Sequence, residues 1–337
     1  RYTANPIAPG RVLCIVPTYN EDPAALRATV RSLLRQTVPV DIVVMDDGSR
    51  IPVQPTVQHE RVTWLRQRNT GKRGAQVAVL RRFDPSEYDF VLTVDSDSAP
   101  YPDACEHLLR AMSNPKVRQA FAMATNRDAY ITANGGPQVM VPTYAMCNKV
   151  LACYKDFNPF GAPTAGDPDG AKKVLTDAGV AMPVNITVVY RKTPTRDKSF
   201  AALKETWDKA GFNVTLEGIT DKYYRTISGA AMKTKDAFYA SWGADWPSGS
   251  TDIPPLFDGR INLTPTSTNQ DYGYYNSEAV NKAIDAAYLI ADPVAREKAW
   301  ADIDEMISKD GGVIPLVNQK FTFLYGSSVK NFEVNTQ

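Results

Sequence analysis

Strand-like apolar runs alternate with helix-like segments over roughly the first 112 residues, and this alternation constrains the fold more than any other feature. The predicted strands are 11–16, 40–45, 62–65 and 90–94, and predicted helices follow Asp22, Asn69–Gly74 and Pro102. Short connections between alternating strands and helices are typical of an open parallel sheet. Such sheets bind ligands at the carboxyl ends of their strands.

Polar residues collect at three of those strand ends. Asp46 and Asp47 follow the second strand, Lys72-Arg73 begins the helix after the third, and Asp95-x-Asp97 follows the fourth. Two carboxylates on one turn suit a divalent cation that completes its shell with diphosphate oxygens. Basic residues at a helix start suit phosphate. Each set alone is an ordinary turn or a solvated charge, but three sets on successive strand ends favour a nucleotide site.

Four motifs in order carry a family resemblance over about residues 10–116. They are Val16-Pro17-Thr18-Tyr19-Asn20-Glu21, Asp46-Asp47-Gly48-Ser49, Asn69-Thr70-Gly71-Lys72-Arg73-Gly74-Ala75-Gln76 and Val94-Asp95-Ser96-Asp97. Together they resemble family-2 glycosyltransferases of the hyaluronan and chitin-oligosaccharide synthase branch. The resemblance implies the nucleotide-binding half of a GT-A-type, Rossmann-like sheet. It also implies a nucleotide-sugar site made of Pro17, Tyr19, Glu21, Asp47, Lys72, Arg73, Asp95 and Asp97. Within that site, Asp97 and Asp95 would bind Mg²⁺ or Mn²⁺.

The sequence departs from that family after Lys116. The family's acidic catalytic-base motif and its Gln-x-x-Arg-Trp motif are not found where expected, and Trp300 is preceded by Glu297-Lys298-Ala299. Without a base to deprotonate an acceptor hydroxyl, a donor site is expected to bind or slowly hydrolyse its donor rather than transfer the sugar. No catalytic residue is therefore assigned.

The preference for Arg over Lys inverts at the same place. Residues 1–116 contain 13 Arg and 2 Lys, whereas 117–337 contain 7 Arg and 16 Lys. Two explanations stay open. The composition has drifted between two domains of one gene, or two sequences of different origin have been joined near Val117. Either explanation divides the chain into domains 1–116 and 117–337.

The second segment is also predicted to be mixed α/β. Helices are predicted at 117–131, 169–175, 199–210, 277–291 and 293–308, strands at 184–190, 214–216, 236–241, 313–317 and 321–324, and a long loop at 142–170.

Five motif groups in this segment carry a second resemblance. They are Val117-Arg118-Gln119-Ala120-Phe121 with Asn126-Arg127-Asp128, the run Asp169–Gly179, Trp242-Gly243-Ala244-Asp245, Tyr275-Asn276-Ser277 with Val280-Asn281, and Ile314-Pro315-Leu316. They resemble family-5 extracellular solute-binding proteins, the oligopeptide- and dipeptide-binding components of ABC importers. The resemblance implies the distal α/β lobe and C-terminal return strands of a type II periplasmic-binding-protein fold.

That resemblance supplies a candidate peptide site. Asp245 occupies the position whose carboxylate pairs with a ligand α-ammonium, and Trp242 would line the cleft. In the alternative reading Asp245 only caps a turn, and Trp242 and Trp246 are core residues. Trp246-Pro247-Ser248-Gly249 also replaces the commoner Tyr-x-x-Pro, which leaves the ligand preference open.

Composition excludes several other functions. A formal net charge of +1 argues against general nucleic-acid binding. No apolar run is long enough for a membrane span, so a soluble chain is expected.

The N-terminal residues resemble neither a secretory signal nor a lipobox. Localisation stays open, since the first segment resembles a cytoplasmic domain and the second an exported, lipoprotein-type one. Importer membrane subunits are not expected as partners of a chain without the other lobe.

Cysteine and histidine add little to the functional prediction. None of the four cysteines forms a Cys-x-x-Cys pair, which argues against structural zinc. Cys14 lies in a strand pattern and is expected in the core. Cys147 and Cys153 either pair or stay reduced. Two histidines and no Gly-x-Ser-x-Gly make a Ser-His-Asp or Cys-His hydrolase a poor hypothesis.

Three hypotheses result. The first is a chimera without a complete inherited activity. The second is a solute-binding protein for short peptides, using Trp242 and Asp245. The third is a metal-dependent UDP-sugar donor domain. As a residual function, peptide binding ranks above donor binding because its resemblance covers more of the chain.

Overall fold

A computed structural model describes residues 11–333 apart from 85–86, 89, 103, 106–109, 230–231, 233–234, 322 and 332. The chain divides into two compact units, Arg1–Arg110 and Ala111–Gln337. The division falls a few residues before the boundary predicted from sequence. No helix among the described residues is both long and apolar enough to cross a membrane.

The first unit contains a four-stranded parallel sheet in the order β3-β2-β1-β4. Its strands are β1 (Val12–Thr18), β2 (Val40–Asp46), β3 (Val62–Arg66) and β4 (Phe90–Thr93), and its helices include α1 (Pro23–Leu34) and α2 (Lys72–Arg82). The predicted parallel α/β sheet is confirmed. The helix predicted from Pro102 falls largely on residues outside the described part of the chain.

Both faces of this sheet are covered. Every residue of β1 is buried, and alternate residues face opposite sides. Val12, Cys14 and Val16 pack in the cluster that contains α1, while Leu13 and Ile15 pack in the cluster that contains α2. A continuous apolar run is what a parallel strand buried on both faces requires.

The second unit contains two small sheets surrounded by helices. Strands β6 (Val184–Arg191), β7 (Phe212–Ile219) and β8 (Ala237–Phe238) form a parallel sheet in the order β7-β6-β8, and β5 (Met140–Pro142) pairs antiparallel with β9 (Val317–Gln319). The helices are α3 (Pro115–Met123), α4 (Arg127–Ala133), α5 (Pro168–Asp177), α6 (Pro194–Lys209), α7 (Tyr223–Ile227), α8 (Ile253–Phe257), α9 (Gly259–Asn262), α10 (Glu278–Tyr288) and α11 (Pro293–Asp310).

Two predicted elements of this unit differ from the structure. The helix predicted at 117–131 is interrupted between α3 and α4, because the side chain of Asn126 accepts a hydrogen bond from the Ala129 N–H at 2.8 Å and starts a new helix. The strand predicted at 313–317 pairs only from Val317 onward, beyond Pro315, which has no N–H to donate.

Two other predicted strands are also shorter or different. The strand predicted at 236–241 is reduced to β8. Of the strand predicted at 321–324, residue 322 lies outside the described residues, and the other three positions are not in a strand.

Two apolar clusters form the core of the second unit. In the first, Phe121 of α3 stacks on Trp207 of α6 with ring centroids 4.4 Å apart. The second surrounds the fully buried Trp300 of α11 and includes Cys147 and Cys153. These two cysteines form a disulfide, which decides between the alternatives left open by the sequence. Cys14 is a buried free thiol, as expected.

Candidate functional site

The strand ends of the first unit bring several of the predicted nucleotide-site residues together. Pro17 is buried within β1, whereas Tyr19, just beyond it, is 52% exposed. Glu21 follows, and its Oε2 accepts a hydrogen bond from Ser96 Oγ at 2.8 Å. Because Ser96 lies between Asp95 and Asp97, this bond links the end of β1 to the turn after β4.

The basic start of α2 meets the same turn. Lys72 Nζ forms an ion pair with Asp95, and both side chains are 58% exposed. Arg73 and Asp97 are exposed. Within the described residues, Asp95 and Asp97 are not part of any group of three potential metal ligands. These two carboxylates would therefore need ligand oxygens to complete the shell of a divalent cation.

Asp46 and Asp47 are both buried and already hydrogen bonded. Burial raises the pKa of Asp46, but hydrogen bonds from Ser49 and Val53 and the charge of Arg66 outweigh it and lower the pKa overall. Asp47 Oδ1 accepts hydrogen bonds from the Thr70 N–H at 3.0 Å and from Gln67 Nε2 at 2.6 Å. Asp46 thus holds the Asp46–Ser49 turn, and Asp47 ties that turn to the segment before α2.

A large cavity lies within the second unit. Its volume is about 1510 Å³, which exceeds the roughly 300–1,000 Å³ of common small-molecule sites. Part of its wall is aromatic. The aromatic lining residues include Tyr239, Trp242, Trp246, Tyr272, Tyr274 and Tyr275.

Thr251 fixes the two residues predicted to recognise a peptide. Its carbonyl oxygen accepts a hydrogen bond from Trp242 Nε1 at 2.9 Å, and its Oγ1 accepts one from the Asp245 N–H at 2.8 Å. Trp242 is half-buried and lines the cavity, while Asp245 is exposed beside the cavity-lining residues Ala244 and Trp246. The segment 242–251 is therefore folded back on itself at the cavity wall.

Sequence reasoning missed two buried carboxylates next to this segment. Asp252 lines the cavity with 4% of its surface exposed, and Asp304 of α11 is 1% exposed. Burial, together with the charges of Asp304 and Asp245, raises the pKa of Asp252 to about 7. Burial also raises the pKa of Asp304 to about 6. The hydrogen bonds that its carboxylate accepts from the backbone N–H groups of Met146 and Cys147 only partly oppose this rise. Neither residue stands in a motif that could have signalled its burial.

Three other charged residues of the cavity wall, Arg118, Asp310 and Asp236, are paired or hydrogen bonded. Arg118 Nη2 lies 2.6 Å from Asp310 Oδ1, and Asp236 Oδ2 accepts a hydrogen bond from the Thr187 N–H at 2.8 Å. Arg127 is buried behind the wall, where it donates to the carbonyl oxygens of Thr143 and Pro315. Burial lowers the pKa of Arg127 to about 10. Arg127 therefore acts as a tie between the loop after β5 and the segment before β9.

Two family models match the chain. The model of bacterial extracellular solute-binding proteins, family 5 Middle, matches residues 86–263. The model of glycosyl transferase family 2 matches residues 13–149. The matched ranges overlap at 86–149, around the predicted domain boundary.

Curated relatives and solved structures divide in the same way. An N-acetylglucosaminyltransferase of Sinorhizobium fredii is 39% identical over 37% of this chain and 32% of its own length. The periplasmic oligopeptide-binding protein OppA of Salmonella typhimurium is 24% identical over 70% of this chain and 40% of its own length. The solved structure of clavulanic acid biosynthesis oligopeptide binding protein 2 superposes with a TM-score of 0.54 at 24% identity, covering 60% of this chain and 38% of that one. The chain thus spans less than half the length of each of these relatives, and the structural likeness concerns the fold alone.

Proposed function

The chain belongs to the bacterial extracellular solute-binding proteins of family 5, and from this premise we propose that its second unit binds short peptides in the cavity beside Trp242. The observation that carries the proposal is the cavity itself. It is large, lined in part by aromatic side chains, and bordered by the segment 242–251. A relative with a matching segment is an oligopeptide-binding protein, which supports the choice of ligand class.

Asp245 supplies the recognition of the peptide's first residue in this proposal. Its carboxylate is exposed beside the cavity, and its backbone is held by Thr251. A charge-assisted hydrogen bond to an α-ammonium group would fix the end of the ligand. Trp242, whose indole N–H is already bonded to the Thr251 carbonyl oxygen, would contact the ligand through its apolar ring.

Calorimetry with the full chain and Ala-Ala-Ala tests this role. We expect binding that Asp245→Ala weakens about tenfold or more, because a hydrogen bond between two charged groups is lost. Amino-terminal acetylation of the peptide should weaken binding equally. Asp177→Ala is the matched control, since Asp177 is an exposed carboxylate on α5 whose ion pair is with its helix neighbour Lys173. Absence of binding, or binding that Asp245→Ala leaves unchanged, would contradict the proposal.

A second candidate function rests on the first unit. The Lys72–Asp95 ion pair and the Ser96–Glu21 hydrogen bond gather groups from three strand ends, as a nucleotide-sugar donor site requires. In this candidate function Asp95 and Asp97 hold Mg²⁺ or Mn²⁺, which would neutralise diphosphate charge. Lys72 would exchange its ion pair with Asp95 for a phosphate oxygen.

A separate calorimetric titration tests the nucleotide-sugar donor site. Calorimetry with UDP-N-acetylglucosamine should show binding that requires Mn²⁺ and is lost in Asp95→Ala with Asp97→Ala. Asp41→Ala is the control, because this partly exposed carboxylate pairs with Arg11 on the same unit. Binding that persists in the double variant refutes the assignment of the site.

We further propose that the chain is a chimera that joins parts of two protein families. The order of the two family matches and the inversion of the Arg:Lys ratio at 116–117 support this origin. Homologues that carry the same junction in many genomes would contradict it.

A further inference from the structure

Asp252 lies at the cavity wall in an unusual state for a buried carboxylate. It occupies the residue before α8, where an aspartate side chain normally accepts a hydrogen bond from the first turn of the helix, but it makes no such bond. Its carboxylate instead lies within 4.8 Å of the sulfur atoms of Cys147 and Cys153. Asp252 also lines the cavity, with only 4% of its surface exposed.

No hydrogen-bond donor compensates this carboxylate in the part of the chain that the structure describes. The two charges that act on it most strongly are those of Asp304 and Asp245, and both are negative. A buried charge is normally paired or hydrogen bonded, because desolvation without compensation is costly. Among the described residues, Asp252 therefore has no cationic partner.

The neighbouring elements do not supply this cation. On α11, Glu297 is itself an anion, and it accepts hydrogen bonds from Ser248 Oγ and the Gly249 N–H. On α9, Arg260 is paired with Asp258 and Asp285. Lys149, which also lines the cavity, is exposed, and its ammonium lies 5.8 Å from the ring centre of Tyr154.

We propose that Asp252 is a second cation-recognition residue of the cavity, which takes the side-chain ammonium or guanidinium group of a peptide whose first residue is basic. The inference rests on the proposed function, in which Asp245 receives the α-ammonium of the same residue. Thr251 is hydrogen bonded to both Trp242 and Asp245 and directly precedes Asp252, so these three residues are held near one another at the cavity wall. A ligand end with two positive charges would face two carboxylates there.

Proton release accompanies this recognition. Because the pKa of Asp252 is about 7 without a ligand, the residue is about half protonated at neutral pH. A bound cation favours the ionised form, so binding at pH 7 should release about half a proton per ligand. The preference for a basic first residue should therefore grow as the pH rises through 7 and fade below pH 6.

Isothermal titration of the full chain compares Lys-Ala-Ala with norleucine-Ala-Ala, which lacks only the side-chain ammonium. At pH 8 we expect Lys-Ala-Ala to bind about tenfold tighter or more. This ratio should shrink towards one at pH 5.5. Asp252→Asn should reduce the ratio at pH 8 to about one. At pH 7, titration in buffers of different ionisation enthalpy should detect about half a proton more released with Lys-Ala-Ala than with norleucine-Ala-Ala.

Failure of this inference and failure of the proposed function give different results. If neither peptide binds, both the proposed function and the role of Asp252 are refuted. If both peptides bind with equal affinity at pH 8, peptide binding stands and the role of Asp252 is refuted. A Lys preference that is the same at pH 5.5 and pH 8 also refutes it, and this measurement uses the unmodified chain.

Discussion

The charge buried at Asp252 makes a quantitative prediction about stability in the absence of ligand. Its folded-state pKa of about 7 lies above the ordinary value of 3.8, so the unfolded state ionises first as the pH rises. The protein thus loses stability between pH 4 and pH 7, and a difference of about three pKa units corresponds to about 4 kcal/mol. Asn has nearly the same shape and no charge. We expect Asp252→Asn to be about 4 kcal/mol more stable than the unmodified chain at pH 8.

The same calculation gives a gain of only about 1 kcal/mol at pH 4.5, where the folded-state carboxyl is protonated and the unfolded one is partly ionised. Urea unfolding followed by tryptophan fluorescence measures both gains, because four of the five tryptophans lie in the second unit. Asp177→Asn, at an exposed carboxylate, should give no pH-dependent gain. A gain from Asp252→Asn that is equal at the two pH values, or a loss at pH 8, would show that the buried charge does not carry this energy.

Three further predictions concern stability. Gly249→Ala should destabilise the second unit by about 1–3 kcal/mol in urea unfolding, since a Cβ there would lie 2.8 Å from Trp300 Cγ, whereas Gly243→Ala meets open space and should be neutral. Cys147→Ala with Cys153→Ala should cost about 2 kcal/mol, as expected for a loop closed over a separation of six residues, and a thiol assay of the unmodified chain should detect two free thiols on unfolding. Lys72→Ala should change stability by less than about 1 kcal/mol, because its ion pair with Asp95 is exposed, so any larger loss in thermal unfolding would give Lys72 a structural role.

The first unit could be predicted from sequence because each local signal agrees with its tertiary role. Strand β1 is an unbroken apolar run and is buried throughout. Helix α1 begins where Asp22 precedes Pro23, and the Asp22 carboxylate does accept the Ala25 N–H at 3.0 Å. The polar groups that follow β1 and β4 meet because parallel strands end at the same edge of a sheet.

The second unit was less predictable where distant segments decide the structure. Strand β5 has only three residues, and it exists because it pairs with Val317–Gln319, far along the chain. The strand predicted around Pro315 was misplaced for the complementary reason, since the pairing begins only after the proline. The interruption between α3 and α4 depends on one side-chain hydrogen bond from Asn126, which a periodic apolar pattern does not reveal.

The candidate site also contains residues that a local motif identifies and a residue whose role depends on distant segments. Trp242 and Asp245 stand in a motif, so sequence alone could single them out. Asp252 precedes a helix, as do Asp22, Asp167, Asp258 and Asp292, and each of these four caps its helix through its side chain. A reader of the sequence would assign the same structural role to Asp252.

The structure shows why that assignment fails. Helix α8 has five residues, and the Asp252 carboxylate lies close to the disulfide instead of capping the helix, while the residue lines the cavity. Its surroundings come from three segments: the loop that carries Cys147, the turn that begins at Ser248, and α11 with Asp304. Burial without a partner is a property of these three segments together. A carboxylate that gives up a capping hydrogen bond and gains no other in the described structure is destabilising as it stands, and a cation bound in the cavity would remove that cost.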